Sequence, residues 1–190
     1  MALPKTKLHT ADAFERFIAQ PRNRDRHFEL IDGEIVEKPM PTEGHSILAG
    51  VFLGEFYIYA REHGLGLPGP EARFRMTGDK RNTRQPEVSM VLDPDAPITT
   101  KGASPRVPDV IVEIMSPDEN IDELREKAKY YIANGARLVI LTFPRQKIVE
   151  VCRPDAPTEM LTEDTLEGYD VLPGFALLVA KLFIKKRGGE

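Results

Sequence analysis

The stretch Arg106–Tyr131, RVPDVIVEIMSPDENIDELREKAKYY, is the most informative part of the chain for the fold, because a short strand runs in it almost directly into an amphipathic helix. The segment DVIVEIM is apolar on both faces of a strand, which is typical of a central strand covered on both sides. A single carboxylate, Glu113, interrupts it. An ionised carboxylate is costly to bury unless something pairs with it. The sequence therefore predicts a partner for Glu113 close to this strand.

The rest of the chain alternates between helical and strand-like patterns. The order helix, strands, helix, strands predicts a mixed sheet with a helix on each face. The helix before the first long loop is apolar around most of its circumference, so we expect it to be largely buried. The predicted elements are a helix over 10–19, a hairpin turning at Asp32-Gly33, a helix from Thr42 to Gly64, strands within 64–76 and 84–93, a helix over 121–135, and a strand pair across 144–147.

Length and composition indicate one ordinary globular domain. The chain has 190 residues, of which 41% are hydrophobic and 29% charged. No apolar run approaches the ~20 residues that span a bilayer, and the first residues lack the apolar core of a signal peptide. Cys152 is the single cysteine, which excludes an intrachain disulfide and a cysteine-based zinc site. We expect a cytoplasmic protein without membrane contact.

The net charge of −4 does not by itself indicate a nucleic-acid-binding protein. Two short basic clusters nevertheless stand out, RNRDR at 22–26 and KRNTR at 80–84. They fit either solvated loops or contacts with phosphates, to which lysine and arginine supply affinity without regard to base sequence. The candidate phosphate contacts are Arg73, Arg75, Lys80, Arg81 and Arg84.

A partner carboxylate for Glu113 is predicted on the preceding strand. Asp109 lies on the same side of its own strand but about 13 Å away, which is too far to share one ion. Glu87 is a lone acid at the start of QPEVSMV, and carboxylates on strands about 4.8 Å apart can converge. On the following helix, Lys127 lies at the edge of the apolar stripe. Its ammonium either extends along the stem into water or reaches toward Glu113.

Several pieces of the chain, taken together and in order, resemble the Uma-type endonucleases of the PD-(D/E)XK superfamily. They are FELIDGEIVE, PTEGHSIL, QPEVSMV, VPDVIVEIMSP, LREKAKYYIANGARLVIL and YDVLPGFALLVAKLF. The resemblance implies a restriction-endonuclease-like α/β domain, in which helices flank a mixed sheet. The implied division is an N-terminal helix and hairpin over 1–40, a nuclease core over 41–155 and a C-terminal extension over 156–190.

The resemblance also implies a metal site. By position, Glu87 and Glu113 are its two acids, and the backbone carbonyl of Ile114 is a further ligand of Mg²⁺ or Mn²⁺. Two departures stand out: Glu87 replaces the usual aspartate after proline, and Met115 occupies the position of the strand lysine. Lys127 matches the helix lysine that replaces it. The implied activity is hydrolysis of DNA phosphodiester bonds by a homodimer.

The sequence leaves alternatives open. The two departures also suit a catalytically inactive relative that binds nucleic acid or protein, and fold alone would allow another phosphodiester as substrate. Alternation places Glu29, Glu34 and Glu37 on the solvent side of the hairpin, although Glu29 or Glu34 could add a carboxylate to the site. Glu43 and His45 stand at a helix N-terminus, where a structural role explains both.

Overall fold

The structure is a computed structural model that describes residues 8–76 and 78–183. Residues 1–7, Thr77 and residues 184–190 lie outside the described residues; they belong to the predicted N-terminal segment, the basic loop and the C-terminal extension. Within the described ranges, no helix is long and apolar enough to span a bilayer.

A mixed sheet of six strands forms the centre of the molecule, with β5 and β6 parallel and the other neighbours antiparallel. The sheet order is β3-β4-β5-β6-β7-β8. Two further two-stranded ribbons, β1-β2 and β9-β10, lie outside it. In chain order the strands are β1 Phe28–Ile31, β2 Glu34–Glu37, β3 Gly69–Pro70, β4 Val88–Met90, β5 Val110–Ile114, β6 Leu138–Phe143, β7 Ile148–Cys152, β8 Glu159–Leu161, β9 Thr165–Glu167 and β10 Ala176–Leu178.

Helices cover both faces of the sheet, as the sequence predicts. The helices are α1 Ala11–Ile18, α2 Glu43–His63, α3 Ile121–Ala133 and α4 Val179–Leu182. The even-numbered side chains of β5, such as Val112, pack with α2, whereas Ile111 packs with α3 through Leu124 and Tyr131. The predicted mixed α/β fold is confirmed.

The helix α2 begins and ends where its sequence signals predict. Thr42 caps its N-terminus by accepting a hydrogen bond from the amide of His45, and Gly64 adopts φ 65 at its C-terminus, a left-handed conformation that suits glycine. The prediction that α2 is largely buried is wrong. Only one side packs on the sheet, and the opposite side leaves Ile58 56% and Tyr57 42% exposed.

The N-terminal hairpin docks onto the segment that leads into β4. Its turn has Asp32 at φ 49 and Gly33 at φ 90, the positive values that a tight two-residue hairpin requires. Leu30 exchanges two backbone hydrogen bonds of 2.9 Å with Thr83. One side of β1 packs against α1 through Phe28 and Leu30. The other side therefore faces the end of the central sheet.

Candidate active site

Glu87 and Glu113 lie opposite each other on adjacent strands. The antiparallel register pairs Val88 with Val112, which places Glu87, immediately before β4, across from Glu113. Directly opposed residues of an antiparallel pair project from the same face, with Cβ atoms about 4.5–5.5 Å apart. Both side chains are buried, with 7% and 2% of the residue exposed. The two carboxylates that the sequence singles out are thus brought together.

The strand register indicates that the carbonyl of Ile114, the next residue after Glu113, has no hydrogen-bond donor opposite it on the β4 side. Met115 donates its N–H to Thr142 of β6, so the preceding residue, Ile114, directs its C=O toward β4. Extending the register by two residues from the pair Val88 and Val112 puts Pro86 opposite Ile114, and proline has no N–H to donate. The proline before Glu87 therefore leaves this oxygen available to another partner.

Glu113 is held in an interior with too little positive charge to keep it fully ionised. Its Oε1 accepts a 2.7 Å hydrogen bond from the Tyr131 hydroxyl of α3. Burial raises the pKa of Glu113 to about 7, and the nearby charges of Glu29 and Glu87 act in the same direction, while Lys127 and Lys38 oppose them. Near neutral pH this carboxyl group is thus poised between its two protonation states.

Lys127 does not extend into solvent. Its side chain is only 13% exposed, and its Nζ lies 3.3 Å from Glu29 Oε2 and 3.2 Å from Glu119 Oε1. Although burial alone would lower it, the pKa of Lys127 is raised by the charges of Glu113, Glu29 and Glu119. The ammonium is therefore present at all physiological pH values. The sequence allowed Lys127 to extend into water or toward the carboxylates, and in the structure its ammonium lies among the carboxylates.

Glu29 belongs to the same group and is 2% exposed. Its Oε1 accepts a 2.8 Å hydrogen bond from the amide of Gln85, and its Oε2 faces Lys127. Burial raises its pKa, but the charges of Lys127 and Lys38 outweigh this and hold it below the ordinary value. The expectation that Glu29 faces solvent is wrong, because the segment before β4 and helix α3 cover this side of the hairpin. Glu34 and Glu37 are exposed.

Glu87 has two partners that are basic side chains. Its Oε1 accepts a 2.8 Å hydrogen bond from Lys38 Nζ. Its Oε2 lies 3.0 Å from His45 Nε2, close enough for an ion pair although not aligned as a hydrogen bond. Burial alone would raise its pKa, but His45 and Lys38 lower the pKa of Glu87 to about 2. Glu87 is thus ionised whenever the protein is folded at neutral pH.

The cluster formed by Glu29, Glu87, Glu113, Lys38 and Lys127, hereafter the acidic cluster, is not balanced in charge. It holds three carboxylates and two ammonium groups, all largely buried. Two ionised carboxylates balance the two lysines, so the third is the one whose ionised form is costly. Glu113 is that third group: burial raises its pKa, whereas Glu87 and Glu29 are also buried but each contact a lysine ammonium within 3.3 Å, which lowers theirs. A further cation would remove the imbalance.

The residues present fit a hard divalent cation with few protein ligands. Among the described residues, no three histidine, cysteine, aspartate or glutamate side chains are arranged to hold a metal ion. Mg²⁺, however, usually keeps several waters and takes only one or two carboxylates from the protein. Glu87, Glu113 and the unused carbonyl of Ile114 provide that oxygen set.

A cavity of about 160 Å³ lies at the carboxyl end of β5, and its lining includes His45, the neighbour of Glu87, but no member of the acidic cluster. Its lining includes His45 and Thr42 at the start of α2, Met115 and Ser116 after β5, and Arg145 in the turn after β6. Met115, which occupies the position of the missing strand lysine, contributes to this lining and also packs against the apolar cluster between β5 and α3.

The predicted phosphate contacts divide into three kinds. Arg84 is buried; its guanidinium lies over the Tyr130 ring at 4.6 Å and donates to Asn82, so it is not available at the surface. Two further arginines pair with acids of α1: Arg73 with Glu15 and Arg75 with Asp12, each at 3.3 Å. The remaining two, Lys80 and Arg81, are exposed.

Sequence reasoning missed two members of the site, Lys38 and Tyr131, and assigned His45 a structural role. Tyr131 lies on the apolar stripe of α3. A buried tyrosine hydroxyl usually needs a hydrogen-bond partner, and this need is the signal that could have pointed to the site. Lys38 lies in a segment without periodicity, so no pattern marks it. His45 is 6% exposed, and its Nδ1 has no hydrogen-bond partner among the described residues. A helix N-terminus predicts none of this.

Comparison with known proteins agrees with this fold. The solved structure of a putative nuclease belonging to DUF820 from Anabaena variabilis superposes with a TM-score of 0.79 over 92% of this chain and 97% of that chain, at 23% sequence identity. No curated protein matches. The family model Uma2, described as a putative restriction endonuclease, matches residues 12–180. The chain therefore belongs to the Uma2 family.

Proposed function

We propose that the protein is a Mg²⁺- or Mn²⁺-dependent endonuclease that hydrolyses DNA phosphodiester bonds. One observation carries the proposal: two buried glutamates, Glu87 and Glu113, oppose each other on adjacent strands with the ammonium of Lys127 in the same cluster. Family membership supports the same reaction class. Burying this many charges is expensive for stability alone, and strongly perturbed pKa values concentrate at functional sites.

The carboxylates Glu87 and Glu113, with the carbonyl of Ile114, would hold the metal ion. When bound, the ion supplies Lewis-acid stabilisation of the phosphate and lowers the pKa of a water molecule. Glu87 is already ionised, since its pKa is about 2. Glu113 has to release its proton to bind a cation, and its pKa of about 7 makes this release inexpensive at neutral pH.

Lys127 acts as a fixed positive charge and not as a general base. Its pKa is raised by the surrounding carboxylates, so the ammonium holds its proton under all working conditions. A lysine in this state orients a water molecule or a phosphate oxygen by donating hydrogen bonds, and it offsets the negative charge that grows on the phosphate. Glu29 and Glu119, at 3.3 and 3.2 Å, fix the position of its Nζ.

DNA is the proposed partner, and a homodimer is the proposed assembly, because cutting both strands benefits from two sites. Lys80 and Arg81 are exposed and are the first proposed phosphate contacts of this chain. Arg73 and Arg75, which are partly exposed beside Glu15 and Asp12, stay in the proposed set. Arg84, being buried, is withdrawn from that set.

Incubation of the purified protein with supercoiled plasmid tests the proposal. We expect nicking that requires Mg²⁺ or Mn²⁺ and is lost with EDTA, in Glu113→Gln and in Lys127→Met. Lys129→Met is the matched control, since Lys129 lies on the same helix with its side chain 72% exposed, and it should nick like the wild type. DNA binding without nicking under any metal would instead favour a binding module, and nicking that survives both site substitutions would refute the assigned site.

A further inference from the structure

Lys38 occupies a position in the acidic cluster that resembles that of a bound cation. It follows β2 directly, and its side chain is 11% exposed. The Nζ atom lies 2.8 Å from Glu87 Oε1 and 2.8 Å from the backbone oxygen of Gln85. Glu113 and Glu29 also act on its charge. One ammonium thus contacts a carboxylate and a carbonyl, and two further carboxylates lie near enough to act on its charge.

The oxygen atoms around Lys38 are of the kind that a hard metal ion takes. Carboxylate and backbone carbonyl oxygens are the ordinary protein ligands of Mg²⁺. Glu87 Oε1, which accepts the hydrogen bond from Lys38, belongs to a carboxylate that the proposed metal site requires. Since the two cations need the same carboxylate, full charge on both at once would place like charges close together in a buried site.

We propose that Lys38 is a resident cation that competes with the divalent metal ion for Glu87 and withdraws from it when the metal binds. This inference rests on the proposed function, because it concerns the same site. It assigns to Lys38 a regulatory role: it keeps the metal-free cluster neutral enough to fold, and it sets the metal concentration at which the site fills.

The chain around Lys38 allows such a withdrawal. Its backbone amide donates a 2.9 Å hydrogen bond to the carbonyl of His27, so the main chain is anchored while the side chain can move. The residues that follow, Pro39 and Met40, are exposed, Met40 by 76%. A lysine side chain has a flexible four-carbon stem. The ammonium can therefore rotate toward solvent without moving β2 or α2.

Titration of Mn²⁺ into the metal-free protein by calorimetry, with thermal unfolding in EDTA and in Mn²⁺, tests the inference. Lys38→Met and Lys38→Gln are compared with the wild type, and Lys129→Met, an exposed lysine, is the control. The Gln variant keeps a donor for Glu87, so it is expected to fold if the Met variant does not. We expect both variants to bind Mn²⁺ roughly ten- to a hundredfold more tightly, the span that corresponds to one hydrogen bond of a charged group.

We also expect the Lys38 variants to unfold at a lower temperature than the wild type in EDTA, and to gain more from Mn²⁺ than the wild type does. Variants that bind Mn²⁺ as tightly as the wild type or more weakly would overturn the inference, because Lys38 would then support the metal site and not compete with it. The proposed function would stand in that case, since the wild type still binds the metal. If neither the wild type nor the variants bind Mn²⁺, the proposed function and this inference both fail.

Discussion

Replacing Glu113 by glutamine should stabilise the metal-free protein, and the gain should grow with pH. Burial and too few counter-charges raise the pKa of Glu113 from 4.5 to about 7. At 1.36 kcal/mol per pKa unit, this corresponds to about 3 kcal/mol of unfavourable energy for the ionised group. Glutamine keeps the shape and an oxygen that accepts the Tyr131 hydroxyl, but it carries no charge at any pH.

The direction of this pH dependence follows from whether the folded or the unfolded state binds the proton of Glu113. Because the carboxyl pKa is raised in the folded protein, the folded state still holds between pH 4.5 and pH 7 a proton that the unfolded chain has released. The free energy of unfolding of the wild type therefore falls, relative to the variant, through this window. Below about pH 4.5 the difference between the two proteins is constant, and above about pH 7 it is constant again but larger by about 3 kcal/mol.

Urea denaturation in EDTA at half-unit steps from about pH 4 to about pH 9 measures this difference directly. Glu123→Gln is the control, since Glu123 is exposed on α3, and it should track the wild type at every pH. Lost packing or altered pairing of Lys127 in the variant changes the free energy of unfolding by the same amount at every pH. It therefore does not affect how the difference between the two proteins changes with pH. A difference between Glu113→Gln and the wild type that does not change with pH, or that shrinks as pH rises, would refute the charge imbalance of the acidic cluster.

Substitutions of the neighbouring groups and of the basic loop have equally definite expected outcomes. Lys127→Met should abolish nicking and lower the free energy of unfolding by about 3–5 kcal/mol, as is usual when one partner of a buried ion pair is removed. Urea denaturation measures this decrease. A decrease below about 1 kcal/mol would contradict a buried ion pair between Lys127 and Glu29. Tyr131→Phe removes the 2.7 Å hydrogen bond to the buried carboxylate of Glu113. It should lower the free energy of unfolding by about 1.5–3 kcal/mol above about pH 7, and by less at about pH 5, where Glu113 is protonated. Equal decreases at both pH values would argue against the Tyr131 hydroxyl as the donor. Replacing Lys80 and Arg81 together by alanine should weaken DNA binding measured by fluorescence anisotropy. A plot of the logarithm of the binding constant against the logarithm of the salt concentration should become less steep by about 0.9 for each phosphate that is no longer neutralised. An unchanged slope would exclude both residues from the DNA interface.

The central layer of the fold could be predicted from local sequence patterns, since its residues carry them. The run VIVEIM marked β5 as a covered strand, and glycine and threonine marked the ends of α2. The exposed side of α2 was not predicted, because the apolar pattern of a helix shows which of its faces are apolar. It does not show which of those faces another part of the chain covers. Ile58 and Tyr57 look like core residues in the sequence and are exposed in the structure.

The site was predicted where it lies on regular elements. Glu87 and Glu113 could be paired because strand geometry limits which residues can be opposed. For Lys127, helix geometry left two directions open, and only the resemblance to the Uma-type endonucleases favoured the direction toward the carboxylates. Lys38 could not be placed, since it lies in the irregular segment between β2 and α2. Glu29 was placed on the wrong side because alternation along β1 identifies two faces but does not tell which of them the rest of the chain covers.

Anomalous diffraction from Mn²⁺, in crystals of the protein grown or soaked at about pH 8, tests the assigned metal site without recourse to activity. We expect one strong peak within about 2.0–2.6 Å of carboxylate oxygens of Glu87 and Glu113 and of the carbonyl oxygen of Ile114, with the ammonium of Lys127 in the same cluster. A peak elsewhere in a crystal of protein that cleaves DNA, or an active protein whose Glu87 and Glu113 contact no metal, would contradict that assignment.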